Sequence, residues 1–167
     1  MEYVDGISLK QYLKKAKPLA IDFVIDSIYK ICLALDYIHF NNIVHREIKP
    51  DNIMINAENN VIKLMDFSCA SRTTDLASDK TGSAPYMAPE IHNAGNLIDV
   101  QSDIFSLGAV MYELLSGEMA FPGEDPLSCV SKVIHDAPVP LHKTRQDITE
   151  NLELIVNRAL LINPEDR

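Results

Sequence analysis

The stretch HREIKPDN, residues 45–52, has the residue order of a phosphotransfer loop at seven of its eight positions. The exception is Glu47, a glutamate where such a loop has an aspartate. Phosphoryl transfer requires mainly positioning and charge neutralisation from a protein, because its transition state spreads negative charge over the moving group. The residues therefore indicate phosphoryl-transfer chemistry and raise the question of what Glu47 does in it.

The elements that precede and follow this stretch must position it. Ser8 is the predicted N-cap of a short helix in SLKQYLKK, and a longer helix is predicted to start at Pro18 and end at Asn41. The longer helix has apolar residues at spacings of four, three, four and three: Val24, Ile28, Ile31, Leu35 and Ile38. The runs NIMI (52–55) and VIKLM (61–65), separated by polar residues, predict a β-hairpin.

The second half of the chain is predicted to be a long loop followed by helices. Residues 66–99 have no sustained period and hold two glycines and two prolines, which predicts a loop with at most one helical turn near Ala88. A loop of this length in a compact domain is usually functional. Residues 100–116 predict a helix that is buried on most sides, contains an acid, Asp103, that needs partners, and stops at Gly117. Further helices are predicted at about 127–134 and 149–161.

Composition excludes several classes of function. Lys and Arg number 15 against 24 Asp and Glu, a net charge of -9, which argues against a nucleic-acid or anionic-membrane surface. The cysteines Cys32, Cys69 and Cys129 form no C-x-x-C pair, so neither a disulfide frame nor a zinc site is expected, and a reduced, cytoplasmic setting fits best. Neither a membrane-length apolar run nor a signal peptide is found, which predicts a soluble chain without a membrane segment.

The motifs, taken in order, resemble the large C-terminal lobe of the protein kinases over the whole chain. The order is HRxxKPxN, a hairpin, DF, a long loop, APE, and a buried helix with an internal aspartate. Single motifs of this kind arise by chance, but the full order is a strong signal. The stretches HREIKPDNIMI, VIKLMDF, PYMAPE, SDIFSLGAVMYELLSG and NPEDR are most similar to the serine/threonine kinases of bacteria that share the eukaryotic fold.

This resemblance implies an α+β, mainly α-helical fold. Residues 1–167 would form one partial kinase domain, the hinge and C-terminal lobe with a small β-hairpin, and the N-terminal lobe would be absent. The implied reaction moves the γ-phosphate of Mg·ATP to the Ser or Thr hydroxyl of a protein substrate. ATP and Mg²⁺ are therefore the expected cofactors, and a protein substrate or partner is expected.

The same resemblance assigns roles in the phosphotransfer site. Glu47 matches the base that orients the substrate hydroxyl and accepts its proton, and Lys49 matches the residue that contacts the transferred phosphate. Asn52 and Asp66 match the two ligands of Mg²⁺, a cation that prefers oxygen donors. The opening MEYVDG is similar to the hinge, so Glu2 and Val4 would hold the adenine edge.

Two residues depart from the family pattern. A glutamate and an aspartate differ little in reference pKa, but the extra methylene of Glu47 moves its carboxylate by ~1.5 Å, and a misplacement near 1 Å can cost on the order of a hundredfold. We therefore expect an impaired base, with the alternative that Glu47 only caps the loop or pairs with Lys49. Ser68 replaces a glycine, which narrows the backbone conformations that bring Asp66 toward the metal.

The remaining matched residues are regulatory or structural. Arg46 matches the arginine that pairs with a phosphorylated activation loop, for which Thr81 is the first candidate, and Ser83 matches a hydroxyl residue that braces the catalytic loop. Met54 would form the floor of the adenine pocket. The residues matched to structural roles are His45 and Phe67 in the apolar spine, Asp103 beneath the catalytic loop, and Glu90 paired with Arg167. For Phe67, simple core packing is an alternative interpretation, and it is compatible with the role in the spine.

Alternatives to an active kinase remain open from the sequence. A glycine-rich loop, a strand lysine of the V-A-I-K type and its helix glutamate are not found in the chain; they belong to an N-terminal lobe that the resemblance places before Met1. We therefore expect weak ATP binding at most, from a truncated product or a fragment of a longer kinase. The alternatives are a non-catalytic pseudokinase or protein-binding module, and a decayed coding sequence.

Overall fold

The computed structural model describes residues 4–56, 58–73, 83–92 and 99–167. Within these ranges the fold is mainly helical, with few strands. The helices are α1 (Leu9–Lys15), α2 (Ile21–Phe40), α3 (Gln101–Ser116), α4 (Pro126–His135), α5 (Leu141–Thr144) and α6 (Glu150–Ala159). The strands are β1 (Ile7–Ser8), β2 (Ile43–Val44), β3 (Ile53–Asn56), β4 (Val61–Leu64) and β5 (Ser71–Arg72).

The predicted hairpin is confirmed, and it belongs to a slightly larger sheet. Strands β3 and β4 pair antiparallel, with Ile53 opposite Leu64. Strand β1 adds antiparallel to the other edge of β3 and places Ile7 opposite Ile55. Strands β2 and β5 form a separate antiparallel pair. The sequence gives no sign of β1, β2 or β5 because two residues are too few to show an alternating pattern.

The first two helices form where the sequence places them, with one correction. Ser8 caps α1 through a reciprocal capping box with Gln11. Helix α2 begins at Ile21, so the predicted start at Pro18 is wrong. The reason is tertiary: the amide of Leu19 donates to the carbonyl of Leu114 at 3.2 Å, which ties this segment to α3 and keeps it out of the helix. The predicted apolar stripe of α2 is buried.

Helix α3 is the centre of the core, as its nearly continuous apolar sequence predicts. Phe105, Leu114 and Leu115 are fully buried, and α2 and α6 pack against the helix. The helix ends at Gly117, whose φ of 82° is the left-handed conformation that glycine adopts most easily. The amide of Gly117 donates to the carbonyl of Glu113 at 2.8 Å, so the predicted stop is confirmed.

The segment 66–99 has more local structure than the sequence predicts. Short 3₁₀ turns cover Phe67–Cys69, Ala84–Tyr86 and Pro89–His92, and β5 lies in the same segment. The prediction of at most one turn near Ala88 is therefore wrong. One cause is packing against α3, where the hydroxyl of Ser106 donates to the carbonyl of Tyr86 at 2.7 Å. Among the described helices, none combines the length and apolar content needed to cross a membrane.

Candidate active site

The loop that carries the phosphotransfer motif joins β2 to β3 and is anchored from below by a buried carboxylate. Asp103, at the start of α3, is 0% exposed. It accepts hydrogen bonds from the amides of His45 at 2.8 Å and Arg46 at 2.9 Å. His39 Nε2 lies 2.8 Å from the same carboxylate. A buried acid is costly unless it is hydrogen-bonded, so these contacts explain how Asp103 is tolerated and fix the backbone of the loop.

Glu47 is held by contacts on both carboxylate oxygens. Lys49 Nζ donates to Oε1 at 2.5 Å, and the thiol of Cys69 lies 3.6 Å from Oε2. The hydrogen bond from Lys49, its positive charge and the thiol hold the pKa of Glu47 below its ordinary value. Glu47 is therefore ionised at neutral pH, and the pairing with Lys49 that the sequence left as an alternative is present.

Lys49 also connects the loop to the segment before α3. Its Nζ donates to Ser83 Oγ at 3.2 Å as well as to Glu47. Ser83 directly precedes the Ala84–Tyr86 turn. The structure thus brings Glu47, Lys49 and Ser83 together in one hydrogen-bonded cluster, and an ammonium group that is shared between a carboxylate and a hydroxyl can also face an incoming phosphate.

Asn52 and Asp66 are brought close by the hairpin. The amide of Met65 donates to the carbonyl of Asn52 at 2.8 Å, which places the residue before Asp66 beside Asn52. The side-chain amide of Asn52 donates to the carbonyl of Glu47 at 2.9 Å, which leaves its oxygen available. An amide oxygen and a carboxylate are donors that Mg²⁺ prefers, so these side chains fit a magnesium site.

Ser68 holds the side chain of Asp66 by hydrogen bonds. Asp66 itself takes the left-handed conformation, with φ 61°, whereas Ser68 is not among the residues with positive φ. The hydroxyl of Ser68 donates to Asp66 Oδ1 at 2.7 Å, and its amide donates to the same oxygen at 3.3 Å. These hydrogen bonds lower the pKa of Asp66, and the bond from the hydroxyl has the larger effect. Ser68 therefore orients Asp66 through Oδ1, and Oδ2 has no hydrogen bond to any described residue.

The aromatic residues beneath the site contact each other. The rings of His45 and Phe67 are 4.7 Å apart at 65°, an edge-to-face arrangement. His45 is fully buried, but Phe67 is 46% exposed. Phe67 therefore packs on the buried His45 with part of its ring, while much of the ring lies outside the core.

Some of the residues predicted to bind adenine or to regulate the site lie within the described residues, and others do not. Val4 is half-buried, and Met54 lies in β3 opposite Ser8 and Lys63. Glu2 and Thr81 lie outside the described residues. Arg46 has φ 67°, and its guanidinium donates to the hydroxyl of Ser71 at 2.8 Å. This contact was not predicted.

The predicted pair of Glu90 and Arg167 forms with two hydrogen bonds, Nη1 to Oε1 at 2.6 Å and Nη2 to Oε2 at 2.8 Å. The Arg167 side chain is 0% exposed, and its guanidinium lies 5.0 Å from the ring centroid of Phe105. Arg167 also donates to the carbonyl of Gln101 at 2.9 Å. The pair ties the segment that contains APE to the start of α3.

Several contacts near the site carry no local sequence signal. The hydroxyl of Tyr86 donates to the buried carboxylate of Glu113 at 2.5 Å. Burial, followed by the charge of Glu113, raises the pKa of Tyr86 far above its ordinary value. Cys69, Ser71 and His39 likewise meet Glu47, Arg46 and Asp103 across the fold. These partners are far apart in sequence, so spacing could not reveal them.

The family assignment agrees with this geometry. The family model described as the protein kinase domain matches residues 1–167. The chain belongs to the protein kinase family.

Among the proteins that the chain is similar to are bacterial serine/threonine kinases. The chain is 38% identical over 173 residues to serine/threonine-protein kinase PknB of Mycolicibacterium smegmatis, and equally to PknB of Mycobacterium tuberculosis. It is 36% identical over 171 residues to a probable serine/threonine-protein kinase of Clostridium acetobutylicum. The alignments cover 100% of this chain and 26–27% of the relatives. The chain thus spans about a quarter of the length of the relatives it matches.

Proposed function

We propose that this chain is the hinge and large lobe of a serine/threonine protein kinase that transfers the γ-phosphate of Mg·ATP to a protein hydroxyl, with impaired activity. The observation that carries the proposal is the cluster in which Lys49 Nζ contacts both Glu47 at 2.5 Å and Ser83 at 3.2 Å. A carboxylate base, a positive charge and a segment that carries a hydroxyl then meet at one point. These are the parts that phosphoryl transfer requires.

In this proposal Glu47 takes the proton of the substrate hydroxyl. Its lowered pKa keeps the carboxylate ionised and able to accept, but also makes it a weak base. The ion pair with Lys49 must loosen when a phosphate arrives, since the same ammonium then faces the phosphate oxygens. This competition and the displaced carboxylate are the two reasons for which we propose impaired rather than full activity.

The magnesium ligands in this proposal are Asn52 and Asp66. The side-chain oxygen of Asn52 and Oδ2 of Asp66 would hold the cation. When bound, Mg²⁺ would neutralise charge on the phosphates. Ser68 keeps Asp66 Oδ1 occupied, so the carboxylate would offer a single oxygen.

The first test is calorimetric titration of the chain with Mg·ATP. Heat that disappears in Asp66→Ala and persists in Asp36→Ala, an exposed aspartate on α2, supports the nucleotide site. No heat from folded wild-type chain would count against ATP binding by this chain alone.

Transfer itself is tested in a chimera, in which this chain replaces the aligned segment of the Mycolicibacterium smegmatis relative. We expect slow phosphorylation of a protein substrate, loss of that signal in Glu47→Gln, and a gain in Glu47→Asp on the order of a hundredfold if carboxylate displacement is the cause. A chimera with Glu47→Asp and Ser68→Gly that stays inactive would refute the impaired-kinase proposal.

A non-catalytic, protein-binding role is the second candidate. It is favoured by the Glu47–Lys49 pair, which occupies the two groups that catalysis would use. The same chimera separates the candidates, because a pseudokinase would gain no activity from either substitution.

A further inference from the structure

The thiol of Cys69 contacts the proposed base but has no role in the function proposed above. Its Sγ lies 3.6 Å from Oε2 of Glu47, within reach of a weak S–H···O hydrogen bond. The other oxygen, Oε1, accepts from Lys49 at 2.5 Å. Both oxygens of the carboxylate are therefore held, one by a long side chain and the other by a short one.

A glutamate in this position needs the second contact more than an aspartate would. Glutamate has one more side-chain torsion than aspartate, and fixing a torsion costs conformational entropy. Lys49 has a long and flexible side chain, so its ammonium alone leaves the plane of the Glu47 carboxylate free to turn. A thiol on the second oxygen removes that freedom. The two contacts together fix the direction in which the remaining lone pairs of the carboxylate point.

Cys69 is suited to be the fixed point, because its sulfur is separated from the backbone by a single side-chain torsion. The residue ends the 3₁₀ turn Phe67–Cys69. The turn is closed by the amide of Ala70, which donates to the carbonyl of Phe67 at 3.1 Å. The ring of Phe67 packs on the buried His45 with the ring centroids 4.7 Å apart. The sulfur is therefore carried by a backbone that the fold holds in place.

The same turn also holds a proposed magnesium ligand. Asp66 caps the turn, and its Oδ1 accepts from the amide of Ser68 at 3.3 Å and from the hydroxyl of Ser68 at 2.7 Å. Ser68 Oγ and Cys69 Sγ are 4.0 Å apart. Asp66 and Glu47 are thus both attached to one three-residue turn, the first through Ser68 and the second through Cys69.

The contact with Cys69 depends on the length of the glutamate side chain. An aspartate at position 47 would be shorter by one carbon–carbon bond, ~1.5 Å, which would leave its carboxylate up to roughly 5 Å from the sulfur. That distance is too long for a hydrogen bond. The residue by which this loop departs from the kinase pattern is therefore the one that reaches the thiol.

We propose that Cys69 is a positioning residue for phosphoryl transfer, matched to Glu47, and that its thiol orients the longer carboxylate toward the substrate hydroxyl. The proton of that hydroxyl goes to Glu47, and Cys69 keeps its own. This inference rests on the kinase function proposed above and adds to it a residue that acts through the base. Loss of the thiol should therefore slow the transfer step and leave nucleotide binding unchanged.

The first test is steady-state kinetics of the chimera described above, in which kcat and the KM for Mg·ATP are measured with one protein substrate. The variants are Cys69→Ala, Cys69→Ser, Glu47→Asp and Glu47→Asp/Cys69→Ala. The matched control is Cys32→Ala, which changes an exposed cysteine on α2.

We expect Cys69→Ala to lower kcat about tenfold and to leave the KM for Mg·ATP within about twofold, because the carboxylate then turns by a fraction of an ångström. Cys69→Ser should recover part of the loss, since a hydroxyl also donates to a carboxylate. In the Glu47→Asp background Cys69→Ala should change kcat less than about twofold, because the aspartate does not reach the thiol. Cys32→Ala should leave both constants unchanged.

The second test measures the contact without any activity. Urea unfolding of the chain itself is compared for Glu47→Ala, Cys69→Ala and the double variant. If the thiol and the carboxylate bind each other, the unfolding midpoint of the double variant should fall by less than the sum of the two single falls. A fall equal to that sum would overturn the proposal.

The kinetic outcomes separate this proposal from the kinase function. An active chimera in which Cys69→Ala lowers kcat equally in the Glu47 and Glu47→Asp backgrounds would overturn the positioning role and leave the kinase function. A rise in the KM for Mg·ATP at unchanged kcat would do the same. A chimera that transfers no phosphate in any variant would remove the kinase function, and the role of Cys69 in transfer with it.

Discussion

Replacing Glu90 by glutamine should destabilise the protein far more than the loss of an ordinary surface ion pair. The substitution keeps the shape of the side chain and removes its charge. Arg167, whose side chain is 0% exposed, would then keep its guanidinium buried beside Phe105 without a carboxylate. An uncompensated buried charge is among the costlier defects in a folded protein.

The structure sets the expected loss in the free energy of unfolding for Glu90→Gln. Removing one partner of a buried ion pair lowers this free energy by about 3–5 kcal/mol. Glu90 is 15% exposed, and Arg167 keeps hydrogen bonds to the carbonyls of Gln101 and Leu161, so the lower end of about 3 kcal/mol applies. For a chain of this size that corresponds to a fall in melting temperature of roughly 6–12 °C.

The assay is urea unfolding followed by circular dichroism. The control is Asp147→Asn, which breaks the contact of Arg145 with a carboxylate that is 62% exposed and should therefore cost much less stability than Glu90→Gln. A double variant, Glu90→Leu/Arg167→Met, should lose less stability than the sum of its single variants, since it removes the stranded charge. Equal losses in Glu90→Gln and Asp147→Asn would refute the reasoning, as would strict additivity in the double variant.

The remaining predictions concern packing, hydrogen bonding and pH. In Gly108→Ala the new Cβ would lie 2.7 Å from Ala159 Cβ, so urea unfolding should show a loss of about 1–3 kcal/mol that Ala159→Gly partly restores. Tyr86→Phe removes the hydroxyl that donates a hydrogen bond to Glu113 at 2.5 Å, so the free energy of unfolding should fall by about 1–3 kcal/mol. Thermal unfolding measures this loss, and an unchanged melting temperature would contradict it. Because the pKa of Glu47 is lowered on folding, its stabilisation is present above the ordinary glutamate value of about 4.3 and is lost as pH falls through the folded value. The stability difference between wild type and Glu47→Gln should therefore be constant near neutral pH and shrink below about pH 4; a difference that stays constant into acid would contradict the shift.

Local patterns were enough to predict most of the fold. The buried stripe of α2, the capping box at Ser8 and the glycine stop after α3 depend on neighbouring residues, so the sequence displays them directly. The hairpin of β3 and β4 is equally local. The family likewise follows from the order of short motifs.

Contacts between segments that are far apart in sequence determine where the helices and strands begin and end, and how exposed the residues of the site are. The start of α2 depends on the bond between Leu19 and Leu114, which no local pattern contains. The two-residue strands exist because chain segments far apart in sequence are brought alongside each other. The exposure of Phe67 depends on which residues pack around it, so its apolar character alone does not predict how much of the ring is buried.

The sequence by itself determined the elements and the identity of the residues that could carry phosphoryl transfer, because periodicity, capping and motif order are properties of neighbouring residues. Only the tertiary structure decided how those residues are engaged. It placed Glu47 between Lys49 and Cys69, and it joined Asp66 to Ser68 by a hydrogen bond. Hydrogen bonds and burial depend on distances of a few ångströms between segments, and those distances are fixed by the packing of the whole chain.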